Sequence, residues 1–268
     1  MKLTKILLST TAILLATSAL AADLPTTKTP PAPTLAVAPY SWTGFYVGAG
    51  GGGAWMRAHD SSYSTYTNGP VAPLGGSNRS DLGKFGAFGT IEAGADYQMD
   101  RFVVGAFTNF DFKSLKKTKS ITSKGTYTTT TSSTGTSSYN YTARHSVWYK
   151  VGNNWDAGVR LGYLVTDRNL VYALGGYSGA QVSSGVRLDV SYGSGGNSAA
   201  ASESGWKSGY MVGAGWENAL TDHISFKLEY RYADYGKAKS SYNTGSGVGW
   251  QSGDVSVQSV RAVLDYKF

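Results

Sequence analysis

Three histidines could act as a general base in this chain, namely His59, His145 and His223. His145 is followed directly by Ser146, and a serine activated by a histidine is the nucleophile of many hydrolases. Adjacent side chains point to opposite faces of a β-strand, so this pair cannot meet where the chain is extended. His223 falls in a predicted short turn and His59 early in a predicted long loop. We therefore predict no catalytic residue and no enzymatic activity.

Two further kinds of site find little support in the sequence. Cysteine is absent from the 268 residues, which excludes disulfide bonds and thiolate metal sites. The glycine-rich run from Gly48 to Gly53 resembles a phosphate-binding loop, but it lies inside a predicted strand and no helix follows it. We predict neither a metal site nor a cofactor from these residues.

Buried ion pairs are the chemistry that the spacing does favour. Lys227, Glu229 and Arg231 alternate with apolar residues, which predicts a strand with one polar and one apolar face. Over all predicted strands the polar face carries six basic and six acidic residues: Lys84, Arg160, Lys227, Arg231, Arg261 and Lys267, with Glu92, Asp96, Asp111, Glu217, Glu229 and Asp265. Charges that face a narrow interior must pair, because an unpaired buried charge is costly.

Eight segments with alternating side chains are predicted to position these charges. They are 44–56, 84–98, 101–113, 155–165, 169–179, 206–218, 223–236 and 255–268. The connections alternate between short turns, at 99–100, 166–168 and 219–222, and long loops, at 57–83, 114–154, 180–205 and 237–254. An even number of strands joined by alternating short turns and long loops is typical of outer-membrane barrels. The fold of a soluble sandwich does not require this alternation of connection lengths.

The predicted fold is therefore an all-β, eight-stranded antiparallel transmembrane β-barrel with short periplasmic turns and long extracellular loops. An interior of that size is filled by side chains, so the charges form a predicted luminal network. Aromatic residues near the strand ends suit interfacial girdles. If the 114–154 loop contains two more strands, with Ser146 to Lys150 in one of them, a ten-stranded barrel is the alternative.

The N-terminus predicts export. Lys2 and Lys5 precede an apolar run from Ile6 to Leu15, and Ala19 to Ala21 supply small residues before a cleavage site. Five of the seven prolines lie between this signal and Tyr40. The predicted organisation is a signal peptide at 1–21, a Pro-rich periplasmic leader at 22–41 and an outer-membrane barrel at 42–268.

Several segments carry a resemblance to a known family: AADLP after the signal, SWTGFYVGAG from Ser41, VRLGYLVTDRNLVYALGG from Val159, GYMVGAGWENALTDHISFKLEYRYADYGK from Gly209, and VRAVLDYKF at the end. The chain resembles the small outer-membrane barrels of alphaproteobacteria that include major surface antigens and haemin-binding proteins, related to the OmpA-type barrel. It departs from them at Phe107, where the family often has an inward glutamate. Tyr266 and Phe268 resemble the terminal signal that the barrel-assembly machinery recognises.

The resemblance implies a structural barrel that presents surface loops and contributes to envelope integrity, with a porin-like diffusion channel as an alternative. Haemin binding is a further alternative, for which the predicted loops offer axial ligands: His59, His145, Tyr63, Tyr66, Tyr127 and Tyr141. Tyrosine is also common in solvated surface loops, and that interpretation is favoured.

The expected partners follow from location and charge. They are outer-membrane lipid, lipopolysaccharide, the barrel-assembly machinery and a surface ligand of the loops, whereas nucleic acid is not expected, because the basic residues cluster in one loop only. That cluster comprises Lys113, Lys116, Lys117, Lys119 and Lys124. It could contact lipopolysaccharide phosphates or a host polyanion, although a solvated stretch is favoured. The sequence predicts no particular oligomeric state.

Overall fold

The regular secondary structure is entirely β-strand within the residues that the computed structural model describes, which are 40–66, 74–131, 135–244 and 247–268. The predicted signal peptide and all but the last two residues of the predicted leader lie outside this range. The strands are β1 (Gly44–Tyr66), β2 (Leu74–Met99), β3 (Phe102–Phe112), β4 (Leu115–Thr131), β5 (Gly135–Thr166), β6 (Asn169–Tyr192), β7 (Gly195–Ala219), β8 (Ile224–Thr244) and β9 (Gly247–Lys267). None of the described segments is a helix long and apolar enough to cross a membrane.

Antiparallel pairing closes eight of these strands into a ring. The sheet runs β3-β2-β1-β9-β8-β7-β6-β5, and β3 also pairs with β5, from Phe102 opposite Tyr163 to Asp111 opposite Asn154. The ninth strand, β4, pairs with β5 alone among the described strands and follows β3 after Lys113 and Ser114. The predicted eight-stranded antiparallel fold is therefore confirmed for the ring, with one additional strand beyond it. The ten-stranded alternative is wrong, because Ser146 to Lys150 belong to β5 itself.

The short turns lie where the alternation predicts them. Asp100 and Arg101 connect β2 to β3, Asp167 and Arg168 connect β5 to β6, and a four-residue turn from Leu220 leads into β8. Asp100 takes a left-handed conformation, with φ 54°, which aspartate tolerates better than most residues.

The predicted long loops are largely wrong, because the strands continue through them. Cross-strand hydroxyl pairs stabilise this continuation, for example Ser120 with Ser146 at 2.9 Å and Thr128 with Ser138 at 3.0 Å. β4 is polar on both faces and rich in threonine, so it favours a strand without showing an apolar alternation. On β6 the alternation does continue, because Val182, Val186 and Leu188 are buried while Arg187 is exposed. The predicted lysine-bearing loop is mostly β4 and the first half of β5.

Beyond the ring, the strands form what we call the extension, which consists of two four-stranded sheets. Sheet one contains the outer parts of β8, β9, β1 and β2, and sheet two contains β4 with the outer parts of β5, β6 and β7. Pairing of β2 with β3 ends at Gly89, and pairing of β7 with β8 ends at Tyr210, so within the described residues no ladder joins the two sheets. Their inner faces share one apolar core with the ring.

Two levels of exposed aromatic side chains encircle the ring. The level near the short turns includes Phe45, Tyr97, Phe102, Tyr163, Trp216, Tyr266 and Phe268, and the level below the extension includes Trp55, Phe85, Phe112, Trp155, Trp206 and Tyr210. Phe45 and Trp55 are ten residues apart on β1, which for a tilted strand corresponds to about 25 Å, the height of the apolar band of a membrane barrel. The segments between the two levels are therefore the membrane-spanning part.

Candidate functional site

The short-turn end of the ring is closed by Tyr40 and Trp42, which precede β1 and are both buried. The backbone N–H of Trp42 donates to Oε1 of Gln98 at 2.8 Å, and its indole Nε1 donates to the carbonyl of Asp167 at 3.1 Å. The ring of Tyr40 packs edge-on against it, with centroids 5.0 Å apart. We call this pair the aromatic cap.

Above the aromatic cap lies a first group of buried ion pairs. Arg160 Nε donates to Asp96 at 2.9 Å, and Arg160 Nη1 donates to Glu217 at 2.8 Å. Lys227 forms ion pairs with Glu92 and with Asp265, the latter at 2.7 Å. These side chains come from five different strands, so the ion pairs connect opposite walls of the ring.

A second group lies closer to the extension. Arg231 Nη2 lies 2.6 Å from Glu229, and its Nη1 lies 3.4 Å from Asp156. Arg261 Nη2 donates to Asp111 at 3.0 Å. All of these side chains are at most 4% exposed, so the ring interior is packed with paired charge rather than open to solvent.

The predicted luminal residues fall into this interior with one exception. Glu92, Asp111, Arg160, Glu217, Lys227, Glu229, Arg231, Arg261 and Asp265 are buried and joined by ion pairs. Lys84 is exposed, which corrects its assignment. Beyond Gly89, β2 leaves the ring and pairs only with β1, so the inward face at Lys84 opens to solvent beside β4. Lys267 lies at the short-turn end, where its ammonium contacts the carbonyl of Ser41.

Three interior residues were missed from the sequence. Asp156 and Asn109 contact Arg231, and Lys113 lies 3.8 Å from Asp111. Lys113 was assigned to the lysine-bearing loop, yet it is 8% exposed and faces inward. The sequence did contain a signal for two of them. Asp156 is four residues from Arg160 and Lys113 is two residues from Asp111, so each lies on the same strand face as a predicted luminal charge.

Aromatic rings and glycines complete the interior. Arg160 lies between Tyr46 and Tyr172, with its guanidinium carbon 4.9 Å and 5.0 Å from the two ring centroids. Phe107, the departure from the family pattern, lies 4.8 Å from the guanidinium of Arg231 in a cation–π contact. Inward glycines leave room for these groups, since a side chain at Gly48 would overlap the carboxylate of Asp265.

An apolar layer fills the space above the second group, between the sheets of the extension. Its largest members are buried almost completely: Met56, Leu82, Leu115, Tyr149, Val151 and Val186. Hydrogen bonds cross between the sheets from the Tyr149 hydroxyl to Asp60 at 2.7 Å, from Gln251 Nε2 to the carbonyl of Trp148 at 3.3 Å, and from the Ser184 hydroxyl to the carbonyl of Lys239 at 3.5 Å. Burial raises the pKa of Asp60 and lowers that of His145, whose Nε2 has no hydrogen-bond partner among the described residues.

The histidines and the candidate haem ligands do not converge on one place. His145 faces the interior of the extension, whereas Ser146 faces outward and contacts Ser120. His59 lies on the outer face of sheet one, paired with Asp81 at 2.6 Å. His223, in a short turn, contacts the carbonyl of Lys267 through Nδ1 at 3.0 Å.

The tyrosine candidates are also distributed over different surfaces. Tyr63 lies on β1 opposite Trp250, and Tyr141 packs beside buried Leu188 in sheet two. The side chains of Tyr66 and Tyr127 lie outside the described part of the structure. Within that part, no group of three or more histidine or carboxylate side chains could hold a metal ion.

The remaining predicted residues are exposed. Tyr266 and Phe268 face outward at the short-turn aromatic level, 48% and 69% exposed, with ring centroids 5.3 Å apart. Lys116, Lys117, Lys119 and Lys124 lie on β4 rather than in a loop. Lys116 lies directly opposite Lys150 of β5.

Comparisons with known proteins agree with this architecture. Residues 10–268 match the family model described as outer membrane protein beta-barrel domain. The chain is 32% identical over 268 residues to the 31 kDa outer-membrane immunogenic protein of Brucella melitensis, and equally to that of Brucella suis, covering 98% of this chain and 99% of each relative.

Solved structures that match the chain include the outer membrane protein OprG of Pseudomonas aeruginosa, with TM-score 0.41, 12% identity, and coverage of 84% of this chain and 96% of that one. The attachment invasion locus protein Ail of Yersinia pestis matches with TM-score 0.33 and 11% identity, and the match covers 84% of this chain and 99% of that one.

Proposed function

Because this chain belongs to the outer membrane protein beta-barrel domain family, we propose that it is a structural barrel of the bacterial outer membrane whose extension forms a surface for contact outside the cell. The ring supplies the anchor, and its buried ion pairs fix the opposite walls together. The extension holds the outer parts of eight strands in two packed sheets. In this proposal the protein contributes to envelope integrity through the ring and to surface interaction through the extension.

The closed interior is the observation that carries this proposal. From one end to the other it contains the aromatic cap, the two groups of ion pairs and the apolar layer. A diffusion channel needs a continuous hydrated path, and an eight-stranded ring has room only for its own side chains. The structure therefore favours a non-conducting barrel over the porin-like alternative.

The extension supports the second half of the proposal. Its segments on β1, β6 and β9 continue ten or more residues past the aromatic level, so they project well beyond the membrane. The Brucella relatives are named as immunogenic proteins, which agrees with a surface accessible from outside. For this chain, surface contact through the extension is part of the proposal.

Conductance of the purified, refolded protein in a planar lipid bilayer tests the closed interior. Heat-modifiable electrophoretic mobility shows that the sample is folded, and a general porin in the same bilayer shows that conduction is detectable. We expect no stable conductance. Ohmic steps from the folded protein would contradict a filled interior and support the diffusion channel.

Surface placement has its own test, because the chain lacks cysteine and a single introduced thiol can be labelled cleanly. We expect Ser202→Cys, on the extension, to react with a membrane-impermeant maleimide on intact cells. Thr221→Cys, in a short turn, is the matched control and should react only after the cells are lysed. The reverse pattern would place the extension in the periplasm. Titration with haemin, followed by the Soret band, tests the haem alternative on the same protein.

A further inference from the structure

Two exposed lysines form a like-charge pair on the outer wall, close to the membrane. Lys116 of β4 and Lys150 of β5 are direct cross-strand partners, so their side chains lie on the same face. Among the described residues, no carboxylate forms an ion pair with either one. Like charges directly opposite each other destabilise a sheet. An anion bound between the two ammonium groups would remove this repulsion.

The height of the pair places it near lipid headgroups. Phe112, in the aromatic level below the extension, is 52% exposed and precedes Lys116 by four residues. Four residues of chain span at most about 13 Å, and less along the membrane normal because the strands are tilted. Aromatic girdles mark the headgroup level, and a lysine side chain can reach several ångströms back toward it.

Further positive charge borders the same place. Leu115, beside Lys116, packs against Gly86 of β2. Because the two strands run antiparallel, Lys84 of β2 and Lys117 of β4 lie next along them at the opening between the strands, and both are exposed. Lys117 has the inward parity of Leu115, so these two cations face the opening rather than the outer face that carries Lys116 and Lys150.

On the membrane side of these lysines, the wall has an apolar groove of about 250 Å³, whose residue on β5, Trp155, follows Lys150 by five positions. It crosses β2, β3 and β5, and its outward-facing residues are Ile91, Ala93, Thr108, Phe110 and Trp155. The small side chain of Ala93 and the short one of Thr108 form its floor, opposite each other in the ladder. Trp155 donates its indole N–H to Thr108 at 2.7 Å, which fixes one wall of the groove. A groove of this kind, within the lipid-facing band, fits an acyl chain.

From the basic pair above and the apolar groove below, we infer that the wall formed by β2, β3, β4 and β5 binds a phosphorylated lipid of the outer leaflet. Lys116 and Lys150 bind its headgroup phosphate, and the groove holds one acyl chain. Charge-assisted contacts to phosphate are the stronger kind of hydrogen bond. The chemistry selects a lipid that carries phosphate and acyl chains together, as lipid A does.

Native mass spectrometry of the folded protein in detergent, titrated with lipid A, tests this inference. The wild type should bind one copy of bisphosphorylated lipid A about tenfold more tightly than dephosphorylated lipid A. Lys116→Gln/Lys150→Gln should abolish that difference. The matched control is Lys237→Gln/Lys239→Gln, which removes two exposed lysines from sheet one, and it should retain the difference.

Filling the groove tests the acyl half separately. Ala93→Phe should weaken the binding of bisphosphorylated and of dephosphorylated lipid A by a similar factor. The larger side chain fills the groove that holds the acyl chain and leaves the phosphate contacts intact. The inference would be overturned if the wild type and the Lys116/Lys150 variant bound bisphosphorylated lipid A equally tightly. It would also be overturned if the Lys237/Lys239 control lost the preference for that lipid to the same extent. Displacement of lipid A by millimolar inorganic phosphate would also overturn it, since the site would then bind a free anion. Heat-modifiable mobility confirms that each variant is folded.

Discussion

The hydroxyl of Tyr149 on β5 donates a 2.7 Å hydrogen bond to Oδ1 of Asp60 on β1, and this contact joins the two sheets of the extension. Both side chains are buried, and the second oxygen of Asp60 has no hydrogen-bond partner in the part of the chain that the structure describes. The sheets are not connected here by a backbone ladder, so side-chain contacts of this kind, together with the apolar layer, hold them at their observed separation.

Tyr149→Phe should loosen the extension and leave the ring folded. The substitution removes the donor and leaves Asp60 buried with less compensation, at a cost of about 1–3 kcal/mol. We expect faster proteolysis of the extension while heat-modifiable mobility is unchanged. Tyr210→Phe, which removes an exposed hydroxyl, is the control and should behave as the wild type. Equal protease resistance of both variants would show that the hydrogen bond does not hold the sheets together.

Lys227→Met should destabilise the ring itself. It leaves Glu92 and Asp265 buried without their shared cation, and breaking a buried pair in this way costs about 3–5 kcal/mol. The unfolding midpoint in detergent, measured by heat-modifiable mobility, should fall. Lys84→Met is the matched control because Lys84 is exposed, and its midpoint should not change. Similar midpoints for the two variants would contradict a structural role for the interior charges.

The extension should lose stability as the pH falls below about 6.5. Burial, only partly offset by the negative charge of Asp60, lowers the pKa of His145 below its usual 6.5. The unfolded segment therefore takes up a proton that the folded one excludes, so stability is complete above pH 6.5 and is lost toward the lower, folded-state pKa. Protease resistance across pH 7.5 to 5 measures this loss.

His145→Gln should flatten that pH profile, whereas His59→Gln, on the outer face of sheet one, should leave it intact. Asp60 contributes with the opposite sign in a lower range, because burial raises its pKa from 3.8 and protonation then favours the folded form. A wild-type profile that stays flat between pH 7.5 and 5 would rule out burial of a neutral His145.

Trp42→Ala should weaken the aromatic cap without opening a channel. Loss of a buried tryptophan costs about 3–5 kcal/mol, so the unfolding midpoint should fall. The ion pairs and the apolar layer remain, so the variant should stay silent in a planar bilayer. Trp250→Ala, at an exposed site, should change neither property. Conductance of the Trp42 variant would mean that the cap alone closes the interior.

The ring could be predicted from sequence because its two faces differ. Lys227, Glu229 and Arg231 alternate strictly with apolar residues, so one face of β8 is unambiguous. The partners of each charge were not predictable, since Lys227 contacts Glu92 from a strand far away in the chain. Only the closed geometry brings those residues together.

The extension was harder to predict for a physical reason. Both faces of β4 are polar, and an edge strand with lysines on each side resembles a solvated loop in composition. The alternation continues through Lys113 and Ser114, so Lys113 faces the ring interior while Lys116 is exposed on the outer face. What the local pattern does not mark is that the chain stops pairing with β2 after Phe112 and pairs with the outer part of β5 from Leu115.

The two sheets of the extension differ in how the chain builds them. Sheet two is encoded by one continuous stretch, from Leu115 to Gly209, whereas sheet one combines β1 and β2 with β8 and β9 from the other end of the chain. Sheet two can therefore form from sequential hairpins during insertion. Sheet one is complete only after β9 pairs with β1. The outer surface of sheet one therefore forms only in a barrel whose first and last strands have paired.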